Sequence, residues 1–331
     1  MKIIFSEKCL EYGKQHIEGP ERVKTAAEIL KNKGYEFLDP EPASQKELLL
    51  AHKKDYLESV KRGSIEDQDT PAHQNIYLYR NFYNSDTAEG GRGNWVFPRV
   101  GKQRASKACE RQKPRVSGEH SSRAKLVTMF EYASLSAGGA ILAARVGGFS
   151  LMRPPGHHAG IAGSALGAST RGFCYFNNIA VAVKHLAKPT LILDIDGHHG
   201  NGTEEIFSGQ NNITFVSLHR YPEYPGTGLR SKENCHNFPL PPDCGNNIYL
   251  KTLEKAFKQV DFSKIEAVAV SAGFDCHKGG LASLGLTEKA FAEIGKRIAD
   301  LKKHTFFILE GGYDGQILGQ DIDSLLKGIA N

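Results

Sequence analysis

The chain predicts an α/β protein with a mostly parallel sheet covered by helices on both faces. From Phe149 onward, apolar strand-like runs (FSLM, TLILDID, NITFVSL, EAVAVSAG, HTFFILE) alternate with amphipathic helix-like runs (FNNIAVAVKHLAK, NIYLKTLEKAFKQV, TEKAFAEIGKRIADL). Strands that are apolar throughout are buried on both sides, and the intervening helices supply the cover. Polar sequence gathers at the ends of those strands: RPPGHHA, DGHHGNG, LHRYPEYPGTG, GFDCHKGG and EGGYDG. Ligands of open α/β sheets bind beyond the carboxyl ends of strands. Five such ends bearing His, Asp and Tyr therefore mark one candidate site.

In chain order, Lys2–Ser6 reads as a short first strand. Pro20 opens a helix with Val23, Ala26, Ala27, Ile29 and Leu30 at helical spacing and Gly34 as its stop. Ser44-x-x-Glu47 is a capping-box signature for a helix that includes Leu48–Leu50. A second helical piece, DYLESVKRG, ends at Gly63 and is followed by the turn Asp69-Thr70-Pro71. Leu78–Phe130 has no apolar periodicity and is rich in Arg, Lys, Ser and Gly. That is the composition of a poorly ordered insertion. Its flanks, NIY ending at Tyr77 and EYASLSAGGAILAARV from Glu131, would join into one helix. The expectation is a single domain over 1–331 interrupted by a basic insertion at 78–130.

The formal charge of +5 belongs to that insertion, which holds eleven Lys/Arg against four acids and leaves 31 against 33 elsewhere. Its lone Trp95 and scattered tyrosines form no aromatic-basic platform, which argues against nucleic acid. No apolar run approaches the roughly 20 residues of a membrane span. The start of the chain lacks a small-residue cleavage signal, so the expected setting is cytoplasmic. Six cysteines without CxxC spacing suit reduced thiols, although Cys235 and Cys244 could approach across a loop.

Leu191–Thr203, LILDIDGHHGNGT, is the densest motif. Alternate strand residues share a face, so Asp194, Asp196 and His198 could project together if the strand runs that far. An acid and an imidazole there are suitable divalent-metal ligands, and Asp275 at another strand end is the best third candidate. Asp–His–Asp with water suits Zn²⁺ and tolerates Fe²⁺ or Co²⁺. His157 and His158 are placed for proton transfer, with Asp194 as natural partner for one and Asn201 for the other. A carboxylate partner raises proton affinity more than an amide does, so the two should differ in pKa. Tyr313, beside Gly311 and Gly312, is a candidate oxyanion donor whose assignment depends on the resemblance that follows.

The runs RPPGHHA, GFCYFNN, LDIDGHHGNGT, SLH with YPGTG, SAGFD and EGGY together resemble the histone deacetylase superfamily, which includes acetylpolyamine amidohydrolases and acetoin-utilisation proteins. The resemblance covers nearly all of the chain outside Leu78–Phe130. It implies the three-layer α/β/α arginase/deacetylase fold with a central, mostly parallel eight-stranded sheet. It implies a zinc-dependent deacetylase acting on acetyl-lysine or acetylpolyamines. Asp196, His198 and Asp275 match the zinc ligands. His157 and His158 match the tandem proton-transfer pair, backed by Asp194 and Asn201. Tyr313 matches the transition-state tyrosine.

Phe173 and Tyr224 match the aromatic channel walls, the second of which is commonly Phe. Gly172 matches the residue whose carbonyl accepts the substrate amide, and Asp69 matches the rim acid. A structural potassium ion would involve Asp194, Asp196, His198, Ser217 and Leu218. Asn201 stands where class I members have Asp, which points to class II and to bacterial or archaeal relatives. Leu281 and Ala282 lie where polyamine-selective relatives may place an acid, which weakens a polyamine substrate.

The insertion could be a dimerisation arm, a lid, or sequence that does not belong to the working enzyme, and a homo-oligomer remains open. Two other classes stand beside the deacetylase. One is a non-catalytic acyl-lysine or nucleic-acid binder using the basic insertion. The other is a binuclear ureohydrolase, disfavoured because Gly200 and His277 occupy the places of its extra acids. His199 is left a structural role.

Overall fold

Strand residues alternate between faces, and here the two faces bury separate apolar layers. The computed structural model of the protein describes residues 1–14, 16–63 and 128–330. Asp69, Cys109 and all of the basic stretch before Thr128 lie outside those residues. β1 (Ile3–Ile4) passes through a 3-10 turn at Glu7–Leu10 to α1 (Glu21–Asn32), β2 (Phe37–Leu38), α2 (Gln45–Leu48) and α3 (Lys54–Lys61). Then come α4 (Met129–Val146), β3 (Phe149–Ser150) and the hairpin of β4 (Ala159–Gly160) and β5 (Gly163–Ser164). α5 (Asn178–Leu186), β6 (Thr190–Asp194), α6 (Asn201–Phe207), β7 (Ile213–Arg220) and β8 (Cys235–Leu240) follow. The chain continues through α7 (Gly245–Phe257), β9 (Ala267–Ala272), α8 (Glu288–Ala299), β10 (His304–Leu309) and α9 (Gly315–Ala330).

The main sheet has eight strands in the order β2-β1-β3-β10-β9-β6-β7-β8, and every pairing in it is parallel. Among the described residues the antiparallel pairing of named strands is the hairpin β4–β5. Ile3, Leu191, Leu193, Val268, Val270, Phe307 and Leu309 face one layer, packed with α1, α7, α8 and α9. Ile4, Ile192, Phe215, Ala269, Phe306 and Ile308 face the other, against α3, α4 and α5. Burial at about 25 cal/mol per Å² of apolar surface makes this two-sided sandwiching the main stabilising contribution.

The capping box forms as expected: Glu47 N–H donates to Ser44 Oγ at 3.3 Å, and Ser44 N–H donates to Glu47 Oε2 at 2.7 Å. α4 begins at Met129, so the last two residues of the basic stretch belong to this helix. β6 stops at Asp194, short of the His198 that a continued strand would have reached. The reason is local. Asp194 Oδ1 accepts from Asp196 N–H at 3.1 Å, and Asp196 Oδ1 accepts from His198 N–H at 2.8 Å. These aspartate turns replace ladder bonds and turn the chain.

After β6 the chain runs outward to β7 and β8, then crosses back to β9 on the other side of β6 and on to β10. The carboxyl ends of β6 and β9 therefore flank a topological switch point, where the two loops diverge and leave a crevice.

Candidate active site

Asp196 and His198 follow β6, and Asp275 follows β9, so the switch point gathers all three. One oxygen or nitrogen from each lies within 4.8 Å of the others, and all three residues are buried. Asp196 Oδ2 accepts from Gly311 N–H at 2.8 Å, and Asp275 Oδ1 accepts from Gly197 N–H at 2.9 Å. With His198 N–H on its Oδ1, Asp196 is held by both oxygens, and Asp275 by Oδ1 alone. Asp275 Oδ2 is buried without a hydrogen-bond partner. It lies 2.8 Å from His198 Nδ1, close enough for an ion-pair contact but without hydrogen-bond geometry. Two buried carboxylates facing one imidazole call for a cation between them. Burial lowers the pKa of His198, but Asp275 and Asp196 more than reverse this and hold it well above the usual imidazole value. A proton there occupies the role that a divalent metal would take, so the donor set fits the Asp–His–Asp metal group that the sequence suggests.

The His157–His158 loop leads out of β3 and packs beside this group. The two rings are 4.0 Å apart, and His158 is 5.9 Å from the His198 ring. His157 Nδ1 pairs with Asp194 Oδ2 at 3.0 Å, and His158 Nδ1 with Asn201 Oδ1 at 2.7 Å. Both partners are acceptors, so each Nδ1 carries a hydrogen and each Nε2 is directed elsewhere. Burial alone would lower the pKa of His157. Asp194, Asp196 and Glu310 overcome this and raise it to about 10. A divalent charge at Asp196 would oppose that rise. His158 is held well below the usual value by burial and by the neighbouring His157 and His198.

Gly172 and Phe173 both have left-handed backbones, with φ of 51° and 69°. A Cβ on Gly172 would sit 2.4 Å from His158 Cδ2, so only glycine lets this loop reach the histidines. The Tyr224 ring packs 5.0 Å from His158, and Phe173 meets the Tyr313 ring edge-on at 6.1 Å. Burial, with Asp275 next, pushes the Tyr313 phenol well above its ordinary pKa, so it remains a donor. Ser217 pairs with Asp194 in the sheet register, and Leu218 follows it in β7. Asp69 lies outside the described residues.

Four buried residues carry structure that motif reading did not assign. Glu310, the last residue before Gly311-Gly312-Tyr313, accepts from the N–H groups of Gly156 and His157 at 2.7 and 3.1 Å. It thereby ties the histidine loop to β10. Burial raises its pKa to about 7. Arg22 Nε donates to Gly312 O at 2.6 Å, and its Nη2 donates to Glu310 O. Its guanidinium lies 5.1 Å from the Tyr313 ring centroid. Glu18 pairs with Arg22 at 3.0 Å and with Arg153 at 2.8 Å. Glu18 and Arg153 are charges set among apolar, glycine or proline neighbours, but no spacing links them, and Arg22, between Glu21 and Val23, gives no signal of its own.

An eight-stranded parallel sheet between helices, with a buried Asp–His–Asp group at its switch point, defines an α/β/α protein with a candidate metal centre. The histone deacetylase domain family matches residues 16–329, and the chain belongs to that family. An uncharacterised protein of Methanocaldococcus jannaschii is 32% identical over 328 residues, covering 94% of this chain and 82% of that one. Acetylpolyamine amidohydrolase 1 of Pseudomonas aeruginosa is 35% identical over 195 residues, 54% of this chain and 55% of that protein. The alignment with this named enzyme thus spans about half its length. The HD domain of HDA15 superposes with a TM-score of 0.71 at 25% identity, over 99% of this chain and 88% of that one. An acetylpolyamine aminohydrolase from Burkholderia pseudomallei shares the fold, with a TM-score of 0.71 at 21% identity over 100% and 98% of the two chains.

Proposed function

We propose that the protein is a zinc-dependent deacetylase that hydrolyses the amide of N-acyl amines such as acetyl-lysine or acetylpolyamines. The observation that carries this reading is the buried Asp196–His198–Asp275 group beside the His157–His158 pair, with Asp275 Oδ2 lacking a hydrogen-bond partner. A divalent metal held by those three residues would supply Lewis-acid polarisation of the acyl carbonyl and of water. His157 and His158 hold their Nδ1 hydrogens on Asp194 and Asn201, which leaves Nε2 of each to take up or deliver a proton. Differently tuned imidazoles divide that work into one acid and one base. The Tyr313 hydroxyl donates to the developing oxyanion.

Phe173 and Tyr224 flank the acyl chain, the Gly172 carbonyl accepts the substrate amide, and Asp69 holds the substrate at the rim. A potassium ion bound through Asp194, Asp196, His198, Ser217 and Leu218 would stiffen the same strand ends. The working unit in this reading is one domain, with residues 78–130 inserted into it. A cytoplasmic setting agrees with the free thiols of Cys9, Cys174, Cys235, Cys244 and Cys276. Among the described residues no helix is long and apolar enough to cross a membrane. The metal-ligand geometry favours a mononuclear centre: among the described residues one three-residue group could hold an ion. His277, where a second-metal acid would be needed, instead pairs with Asp321 at 2.7 Å.

The test is a turnover panel of acetyl-lysine peptides, acetylated polyamines and longer acyl-lysines on zinc-loaded and chelator-stripped protein. Metal-dependent release of acetate from at least one class is expected. Full activity after stripping, or no turnover of any acyl amine by the loaded protein, would overturn the reading.

A further inference from the structure

The loop from Tyr224 to Gly228 carries one wall of the proposed acyl channel, and its far end rests on two buried imidazoles. His199, next in the chain to His198, is 1% exposed. Its Nε2 lies 2.9 Å from Glu204 Oε2, which also accepts from Asn237 Nδ2 at 2.7 Å. A carboxylate accepts, so Nε2 carries the hydrogen and Nδ1 presents a lone pair. That lone pair faces Thr227 Oγ1 at 2.7 Å, so the Thr227 hydroxyl donates to it.

One residue further, Gly228 O accepts from His219 Nε2 at 3.1 Å, while Ser217 Oγ lies 2.9 Å from His219 Nδ1. The His199 and His219 rings are 4.7 Å apart. A Cβ on Gly228 would come within 2.6 Å of ring atoms of both, so the loop end is seated between them. At the other end, Tyr224 Oη donates to Thr170 O at 3.0 Å, and its ring packs 5.9 Å from His198.

We propose that His199 is a positioning residue for substrate binding. Through Thr227 it holds the Tyr224 loop in register with the turn after β6 that presents His198. A single peptide bond joins His199 to His198, so the wall and the metal group share one support. The inference rests on the deacetylase reading for its effect on substrate. The anchoring itself can be read without turnover.

The test replaces Thr227 with its near-isostere Val, which cannot donate, and with Ser, which can. On zinc-loaded full-length protein with an acetyl-lysine peptide, Thr227→Val should raise KM about fivefold, roughly what one neutral hydrogen bond is worth. Its kcat should stay within about twofold of wild type, because no group at the reacting atoms changes. Thr227→Ser should restore KM. Amide hydrogen exchange across residues 221–230, without substrate, should quicken in the Val variant and return with Ser. Wild-type KM and wild-type exchange in the Val variant would overturn the proposal. So would a fall in kcat that tracks lost zinc affinity, since the contact would then support the metal group. If wild-type protein turns over no acyl amine, the deacetylase reading fails by itself. Exchange then decides the anchor, with faster exchange upholding it and unchanged exchange removing it.

Discussion

Replacing Arg22 with Met should cost both stability and turnover, and the two losses should be separable. The Arg22 side chain is 1% exposed and pairs with Glu18 at 3.0 Å. It also donates to the carbonyls of Glu310 and Gly312, on either side of Gly311. Met fills a similar volume with no donor. Two buried carbonyls would lose their partner, at about 1–3 kcal/mol each. Glu18 would keep Arg153, at 2.8 Å to each carboxylate oxygen. The variant therefore does not add the full cost of an orphaned buried charge, and a destabilisation of about 2–6 kcal/mol follows from the two carbonyls.

The effect on turnover has a different origin. Tyr313 follows Gly312 directly, so freeing that carbonyl loosens the phenol, and a displacement near 1 Å can cost about 100-fold in rate. Tyr313→Phe, which removes the proposed oxyanion donor, should lower kcat by about 10²–10³. The assay is a double-mutant cycle in kcat, with urea unfolding run on the same four proteins. If Arg22 acts through Tyr313, the Met substitution should cost little further kcat in the Phe background, while its stability cost persists. Additive losses in kcat would refute the coupling.

Three more outcomes are expected. Asp275→Asn should weaken zinc binding by at least tenfold in a competition titration, because it removes one of the two carboxylates facing His198; unchanged affinity would exclude Asp275 as a ligand. His52 should make the fold acid-sensitive. Its Nδ1 lies 3.0 Å from Gly160 O and its Nε2 accepts from Asn177 N–H at 2.8 Å, so the protonated ring loses an acceptor. Burial lowers its pKa from 6.5 to about 4, so its contribution is complete above pH 6.5 and is lost as pH falls toward 4. The integrated loss is about 3 kcal/mol. His52→Gln should flatten the pH dependence of urea unfolding over that window, and parallel profiles would count against this account. Ser44→Ala should lower stability by about 1 kcal/mol through loss of the cap, read as a shift in the urea midpoint at constant slope.

What the sequence disclosed followed from periodicity and from the chemistry of strand ends. Apolar runs such as TLILD and AVAVSA, short and set between helix-like runs, read as doubly buried parallel strands, and polar termini after them pointed to the face that holds the candidate site. β8 stayed hidden because CHNFPL contains a proline and polar residues. As an edge strand it has one free side, where a proline is tolerated. β2 is two residues long, below any pattern. α9 contains Gly319 and Gly328, which lower helix propensity, yet both are required by packing. A Cβ on Gly319 would reach 2.7 Å from Ile29 of α1, and one on Gly328 would reach 2.0 Å from the Ala292 carbonyl of α8. Tertiary contact overrides the local signal at both positions.

The same distinction holds at the site. Asp196, His198 and Asp275 could be picked out as a candidate metal group because ligand chemistry limits residue type. Arg22, Arg153 and Glu310 could not, because their task is to satisfy particular backbone groups, and Glu18 could not, because it pairs with Arg22 and Arg153; only the folded chain brings these partners together. Glu310 reaches the N–H groups of Gly156 and His157, more than 150 residues away in sequence. A side chain that holds a loop by its carbonyls or amides imposes no constraint on the residue types in that loop. Its role becomes visible only when donor and acceptor are seen to meet.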